Sequence, residues 1–370
     1  MNNTITIFFG KILNLINKNR SLASLIIVFF IIIGSDFLFH QFYPLVISTL
    51  EYFFDLGKDT HSAVDLTFAP EIWGGVLATV LGTLIIVIAI AAESTPKLMD
   101  LFVRDWVSLI FIWFLILASI HSTIIMYYFE PMERLSSVML NTYIYLPLSS
   151  MLSLPYIFYI LLYSKTDNVI KKLYSLNIDD IKRLKNKPIH LAMNDVKVIE
   201  HYQYQLMSTI DQFDDLLEYI SFKEAQTEII RSVGDTVKEY MRNKTSYDLR
   251  FFSATGTIRN NPTFRTYIEH QYKDIEDRKT FYEVKAFKMM GNAYIRKMEN
   301  GEYELASLIA NEISSVGILA LELEQDDLII DINIRFNTFM RFAIKHAVRN
   351  NEPRNLYNLA FHYSTLLQGY

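Results

Sequence analysis

Two ionisable side chains inside long apolar stretches are the residues of this sequence best suited to chemistry. Asp36 lies in a stretch that begins at residue 22, and His121 lies in another that begins at residue 106. If both stretches are helices that start from the same side of a bilayer, each side chain lies about 20 Å from that side. The two could then pair, and the cost of ionisable groups in lipid indicates a function. In the alternative, the first stretch ends near Ile33 and Asp36 lies at the membrane surface.

A helical face of small residues that ends in a carboxylate is the second candidate site. At about 100° per residue, this face of the stretch 73–93 carries Gly75, Thr79, Gly82, Ile86, Ala89 and Glu93. Small residues let helices approach closely in lipid. Carboxylates that ring a pore mouth favour cations. The face therefore predicts helix packing or a pore lining, and the two roles are compatible in an oligomer.

The polar turn between the second and third apolar stretches is the third candidate. Pro96 suits the first turn of a short helix, and Arg104 can bind lipid phosphates or a carboxylate. We expect a structural elbow at the membrane surface, or a place where a soluble domain docks. The residues of this elbow are Pro96, Lys97, Phe102, Arg104 and Asp105.

The turn TPKLMDLFVRD, residues 95–105, resembles a pattern found in one family of bacterial membrane proteins. The pattern is Ser/Thr-Pro-Lys/Arg-Leu-x-x-x-Phe-x-Arg-Asp, and the resemblance covers residues 1–165. The family is a group of predicted four-span inner-membrane proteins of unknown function. The resemblance implies a four-helix region in the bacterial inner membrane and a helical cytoplasmic region, and it implies no activity.

The elements that must position these residues are four apolar stretches, each long enough to cross a bilayer as a helix of about 20 residues. They cover residues 22–43, 73–93, 106–128 and 138–163. Buried core helices are a poor alternative, because four successive apolar stretches leave no amphipathic partner to cover them. The sequence predicts an all-α protein with a four-helix transmembrane domain, 22–163, after an amino-terminal interfacial segment, 1–21.

Charges beside the stretches predict their orientation. Lysine and arginine dominate the segment before residue 22 and the segment after residue 163, whereas acidic residues dominate 44–71. Because positive loops stay in the cytoplasm, we expect a multi-pass protein of the bacterial inner membrane with both termini cytoplasmic. The fourth stretch contains Pro147 and Pro155, each of which removes a helical hydrogen bond and predicts a kink.

The remaining sequence predicts a basic connector, 164–188, and a cytoplasmic helical domain, 189–370. Residues 243–263 carry turn signals and interrupt the helical periodicity. Residues 289–309 and 343–363 each resemble a helical hairpin of the tetratricopeptide type. Their spacing is too long for the standard repeat of about 34 residues, so ordinary bundle packing is the alternative.

Several classes of chemistry lack support in this sequence. The absence of cysteine excludes disulfides, iron–sulfur clusters and thiol catalysis. A net charge of −5 gives no indication of nucleic-acid binding. The sequence contains no phosphate-binding glycine loop, zinc-protease helix or nucleophile elbow. We therefore predict no catalytic residue, cofactor or metal site.

These observations favour a homo-oligomeric ion channel or pore controlled by its cytoplasmic helical domain. The alternative is a membrane-anchored scaffold or sensor that binds a protein partner without conducting. A transporter or membrane enzyme is the third hypothesis. The expected partners are the lipid bilayer, further copies of the chain and a protein at the cytoplasmic domain.

Overall fold

The computed structural model describes residues 19–54, 69–94, 105–128, 135–163 and 165–369. Within these ranges every regular element is a helix, so the predicted all-α fold class is confirmed. The described residues form two compact units, one made chiefly of residues before 166 and the other of residues from 166 onward.

The first unit contains the four apolar stretches. Its helices are α1 (Arg20–Phe54), α2 (Ala69–Ser94), α3 (Trp106–Tyr128), α4 (Leu135–Met139) and α5 (Leu146–Tyr163), with a π-helical turn (Leu140–Tyr145) between the last two. Helices α4 and α5 and the π turn make one span, so four spans are long and apolar enough to cross a membrane, with mean hydropathies of 1.5 to 2.5. Their outward side chains are apolar, as at Phe30, Leu45 and Met151. These are the helices of a multi-pass membrane protein, and we call this part the membrane unit.

The second unit is a packed bundle, which we call the helical unit. Helix α6 packs on α8 and α9, and α13 packs on α9, α12, α14 and α15. Its helices are α6 (Thr166–Arg183), α7 (Lys187–Ala192), α8 (Val196–Tyr219), α9 (Lys223–Asn243), α10 (Gly256–Arg259), α11 (Glu269–Arg278), α12 (Phe281–Glu299), α13 (Tyr303–Glu322), α14 (Asp326–Asn350) and α15 (Arg354–Gln368).

Helix α13 is a fifth helix that is long and apolar enough to span a membrane, and the sequence analysis did not count it. In the apolar part of α13, 61% of the residues are buried, against 17–33% in the four spans of the membrane unit. Ile309, Ile313 and Ala320 are fully covered by neighbouring helices. A long, mostly apolar helix that neighbouring helices cover is typical of a domain core.

The stretch predicted as a basic connector, 164–188, is mostly helical. Residues 166–183 form α6, in which Ile170, Leu173 and Ile181 are buried. These apolar residues share one face of the helix, while its lysines lie on the other faces. The compact helical unit includes the residues from Thr166 onward, and the predicted boundaries at 164–188 and 189–370 stay a prediction.

Both stretches that resemble helical hairpins contain a turn between two helices. Helix α12 ends before Gly301, whose φ of +75° lies in the left-handed region that glycine adopts without strain. Helix α14 ends at Asn351, which adopts φ of +52°. The segment 243–263 contains two short 3-10 helices and α10 instead of a long helix.

Candidate functional site

Polar side chains from all four spans meet inside the membrane unit. His121 Nε2 lies 3.9 Å from Asp36 Oδ2, which brings together the two ionisable residues that the sequence analysis placed at equal depth. His121 Nδ1 lies 3.1 Å from Asn141 Nδ2. The indole N–H of Trp73 donates to Asn141 Oδ1 at 2.8 Å. We call these four residues the membrane network.

The lengths of the helices explain why these residues share one level. Asp36 and His121 lie about 23 Å along α1 and α3, whereas Trp73 and Asn141 lie about 6–9 Å along α2 and the fourth span. The two distances add up to about 30 Å, which is the sum expected for spans that enter a hydrocarbon core of that thickness from opposite sides. The membrane network therefore lies nearer the ends at which α2 and α4 begin.

Trp73 fixes the hydrogen-bonding roles in the membrane network. An indole nitrogen can only donate, so Asn141 must present its oxygen to Trp73 and its amide nitrogen to the other partners. That nitrogen donates to the Ala118 carbonyl at 3.0 Å and to His121 Nδ1. His121 therefore accepts at Nδ1 and carries its proton on Nε2, which faces Asp36.

The distance between Asp36 and His121 exceeds the length of a hydrogen bond. At 3.9 Å the two side chains interact electrostatically or through a bridging water molecule, and they do not form a direct hydrogen bond. Trp73 and Asn141 are almost completely buried, at 0% and 1% exposure. The low polarity around them strengthens every electrostatic interaction in the network.

Two further polar contacts join α1 to the fourth span beside the membrane network. The hydroxyl groups of Ser35 and Tyr145 form a hydrogen bond. His40 Nδ1 lies 2.8 Å from the hydroxyl of Ser136. Helix α1 continues to Phe54, so Asp36 is well inside the helix and not at an end near Ile33.

The fourth span changes from α- to π-helical geometry where it contributes Asn141 and Tyr145. The N–H of Leu146 donates to the Asn141 carbonyl, five residues earlier, which is the π-helical pattern. Pro147 follows directly; it has no N–H, and its ring would clash with a carbonyl in a regular α-helix. The widened turn lies directly before Pro147, where a regular α-helical hydrogen bond cannot form. Such turns occur frequently at functional sites.

A small cavity adjoins the membrane network. Three polar side chains, Ser122, Asn141 and Thr142, reach it among apolar ones, and the space admits about one water molecule. The other lining residues are Ala69, Ile125, Met126 and Val138. The cavity gives a solvent molecule or a small ion a place beside Asn141.

The small-residue face of α2 lies on the outside of the membrane unit. Trp73 and Val80 are the buried side of α2, and Gly82 lies about 180° around the helix from Trp73. A Cβ atom added at Gly75 or Gly82 meets no atom within 4 Å. Thr79, Ile86 and Ala89 are exposed on the same side, and the Glu93 side chain lies outside the described residues.

The elbow is described only at Asp105, because Pro96, Lys97, Phe102 and Arg104 lie outside the described residues. The buried Asp105 carboxylate accepts from the backbone N–H and the hydroxyl of Ser108, at 3.0 and 2.8 Å, and so caps the start of α3. It also accepts from the Tyr159 hydroxyl at 2.9 Å, which ties α3 to α5. Asp105 therefore has a structural role.

Sequence reasoning identified Asp36 and His121 as members of the membrane network and missed Asn141 and Trp73. The available signal was the asparagine itself, because an amide inside a long apolar span needs partners on other helices. Trp73 lies at the start of the second apolar stretch, where aromatic rings commonly mark the membrane surface, so its type and position did not indicate a buried hydrogen bond to Asn141.

The described residues include no cluster of three or more His, Asp or Glu side chains that could hold a metal ion. No protein-family model, curated protein or solved structure matches this chain. The resemblance of the 95–105 turn to a family of four-span inner-membrane proteins therefore stays a prediction.

Proposed function

We propose that the chain is a homo-oligomeric ion channel of the bacterial inner membrane and that the membrane network is its gate. The observation that carries this proposal is the 3.9 Å approach of Asp36 and His121 inside a four-helix membrane unit. Ionisable groups are rare within spans, and where they face one another they mark ion and proton pathways. The helical unit is the cytoplasmic control domain, and both termini are cytoplasmic.

The arrangement of the membrane network supports a gating role. Each of the four spans contributes one side chain, so a displacement of any span breaks polar contacts made by the others. The buried groups would be left unsatisfied in a partly displaced state, which favours two discrete arrangements over a continuum. The adjacent cavity is mostly apolar, and Ser122, Asn141 and Thr142 reach it; it is the space from which a wider path could open.

The open face of α2 supports the oligomer. Among the described residues no atom lies within 4 Å of a Cβ added at Gly75 or Gly82, although glycines in a span are useful mainly where another helix approaches. The Thr79 hydroxyl already donates to the Gly75 carbonyl at 2.8 Å, so this face carries no unsatisfied hydroxyl. We place the contact between subunits, or the lining of their shared pore, on this face.

Electrical recording of the purified protein in planar bilayers tests the proposal. Asp36→Asn and His121→Gln should each change the ratio of open to closed time about 2- to 150-fold, because side chains in one polar network couple by about 0.5–3 kcal/mol. Thr123→Ala is the matched control, since this exposed hydroxyl on the same helix as His121 donates only to its own helix, at Ser119. Wild-type protein without current, or variants that behave as Thr123→Ala does, would refute the gate.

A scaffold or sensor that does not conduct is the second candidate. The observation that favours it is the small volume beside the membrane network, which admits about one water molecule. In that case the network holds the spans together and has no ion to pass. Asp36→Asn and His121→Gln would then lower the melting temperature of the membrane unit, with no current from any variant.

A further inference from the structure

Helix α14 exposes an apolar stripe on the surface of the helical unit. Ile330 and Ile334 are each 58% exposed, and Val348 is 81% exposed. The exposed residues follow one another at alternating steps of four and three, the spacing with which one helix faces another in a coiled coil. The stripe consists of Ile330, Ile334, Asn337, Arg341, Ile344 and Val348.

The positions of the stripe residues are symmetric about residue 339. When two copies of α14 pack antiparallel about this point, apolar side chains face apolar side chains at the ends, and polar side chains face polar side chains in the middle. The facing pairs are Ile330 with Val348, Ile334 with Ile344, and Asn337 with Arg341. At the centre the Arg341 guanidinium can donate to the Asn337 side-chain oxygen of the other copy. A two-fold contact requires this self-complementarity.

The charges along α14 favour the antiparallel arrangement. Asp326 and Asp327 occupy the first turn, and Arg349 occupies the last. Antiparallel packing places Asp327 within one turn of Arg349 of the other copy. It also points the two helix dipoles in opposite directions, which is favourable. Parallel packing would instead place the Arg341 side chains of the two copies beside each other. The repulsion between these two positive charges disfavours the parallel orientation.

We propose that α14 is a contact surface for a second copy of this chain, paired antiparallel about residue 339. The contact is about 27 Å long, which places it at the small end of stable interfaces. Tethering of the chain to a membrane raises the local concentration of the second copy and compensates for the small area. The pairing goes beyond the proposed function and does not depend on conduction.

Cysteine cross-linking of the full chain in nanodiscs tests this pairing, because the native chain has no cysteine. In the double variant Ile334→Cys with Ile344→Cys, each new cysteine faces the other kind in the second copy, and mild oxidation should yield a disulfide-linked dimer. Each single variant should remain monomeric on a denaturing gel. Its cysteine lies about 15 Å along the axis from its own counterpart, too far for a disulfide.

A second pair and a control pair decide the outcome. Ile330→Cys with Val348→Cys should also cross-link and gives the answer if the first pair does not fold. Leu249→Cys with Ile268→Cys places two exposed cysteines elsewhere on the helical unit and reports random collision. The proposal is overturned if a folded α14 pair cross-links no more than the control. It is also overturned if the single variants cross-link as strongly as the pairs, which indicates parallel packing. Current is not measured, so failure of the channel proposal would leave this result intact.

Discussion

The indole N–H of Trp73 donates to the side-chain oxygen of Asn141 at 2.8 Å, and this hydrogen bond determines which atoms the rest of the membrane network presents. With its oxygen engaged, Asn141 can only donate to His121, so the protonated nitrogen of His121 faces Asp36. A residue on α2 thus controls the chemistry of residues on α1 and α3.

Trp73→Phe should loosen the membrane unit and free the Asn141 amide to rotate. Hydrogen bonds between membrane helices contribute about 0.5–2 kcal/mol, so we expect a measurable loss of unfolding free energy in detergent titrations. Asn141→Leu should cost more, because it removes contacts to Trp73, Ala118 and His121 together.

The control for both variants is Trp113→Phe, which changes the same side chain on α3 outside the membrane network. If Trp73→Phe unfolds at the same denaturant concentration as Trp113→Phe, the hydrogen bond to Asn141 does not hold the spans together.

Gly82→Leu should weaken assembly and leave the fold of each subunit intact. In the part of the chain that the structure describes, a Cβ at this position meets no atom within 4 Å, so the larger side chain has room there. At a close contact between subunits the same side chain overpacks, at a cost of about 1–3 kcal/mol. The measurement is the subunit count by mass in nanodiscs, with melting recorded in parallel.

Ile85→Leu is the matched control, because Ile85 is exposed on α2 and the change keeps its size. An unchanged subunit count in Gly82→Leu, equal to that of Ile85→Leu, would mean that this face of α2 contacts only lipid.

Hydropathy and periodicity were sufficient to predict the all-α fold class and four long apolar helices, because helix length and apolar content can be read directly from the sequence. They also placed Asp36 and His121 at one depth, because depth follows directly from helical rise. The π turn at Leu140–Tyr145 could not be predicted, because it arises where Pro147 disturbs a helix that other spans hold in place. Helix α6 was missed because its many charges hide a narrow apolar stripe.

Removal of one partner from a buried ion pair in the helical unit should cost far more stability than removal of one partner from an exposed pair. Lys244 Nζ lies 2.8 Å from Glu283 Oε1, and Lys244 is 8% and Glu283 0% exposed. Lys244→Met leaves the Glu283 carboxylate buried without its cation, which should cost about 3–5 kcal/mol. The comparison is Lys223→Met, which removes the cation from the exposed pair of Lys223 and Glu304 and should cost about 0–1 kcal/mol.

Thermal and urea unfolding of the two lysine variants measures this difference. Equal unfolding free energies for Lys244→Met and Lys223→Met would show that water reaches Glu283 and that the pair is not buried in solution. The double variant Lys244→Met with Glu283→Leu should recover most of the loss, because it leaves no buried charge.

Glu93→Gln tests whether the face of α2 lines a pore. In the proposed channel, one Glu93 from each subunit rings the mouth of the pore and raises the local cation concentration. The change should lower cation conductance or shift selectivity toward anions, most strongly in low salt, because the Debye length is about 8 Å at physiological ionic strength and about 30 Å at 0.01 M. Glu93→Lys should have the larger effect in the same direction.

The competing role for Glu93 is a structural partner of Lys97 or Arg104 at the elbow. In that case Glu93→Gln and Arg104→Gln should both lower the melting temperature, and the currents of folded protein should keep the wild-type salt dependence. Recording in planar bilayers at low and high salt, with melting of the same preparations, separates the two roles. Because Glu93→Gln removes a charge and keeps the size of the side chain, a loss of low-salt conductance at unchanged melting temperature can be attributed to the field at the pore mouth.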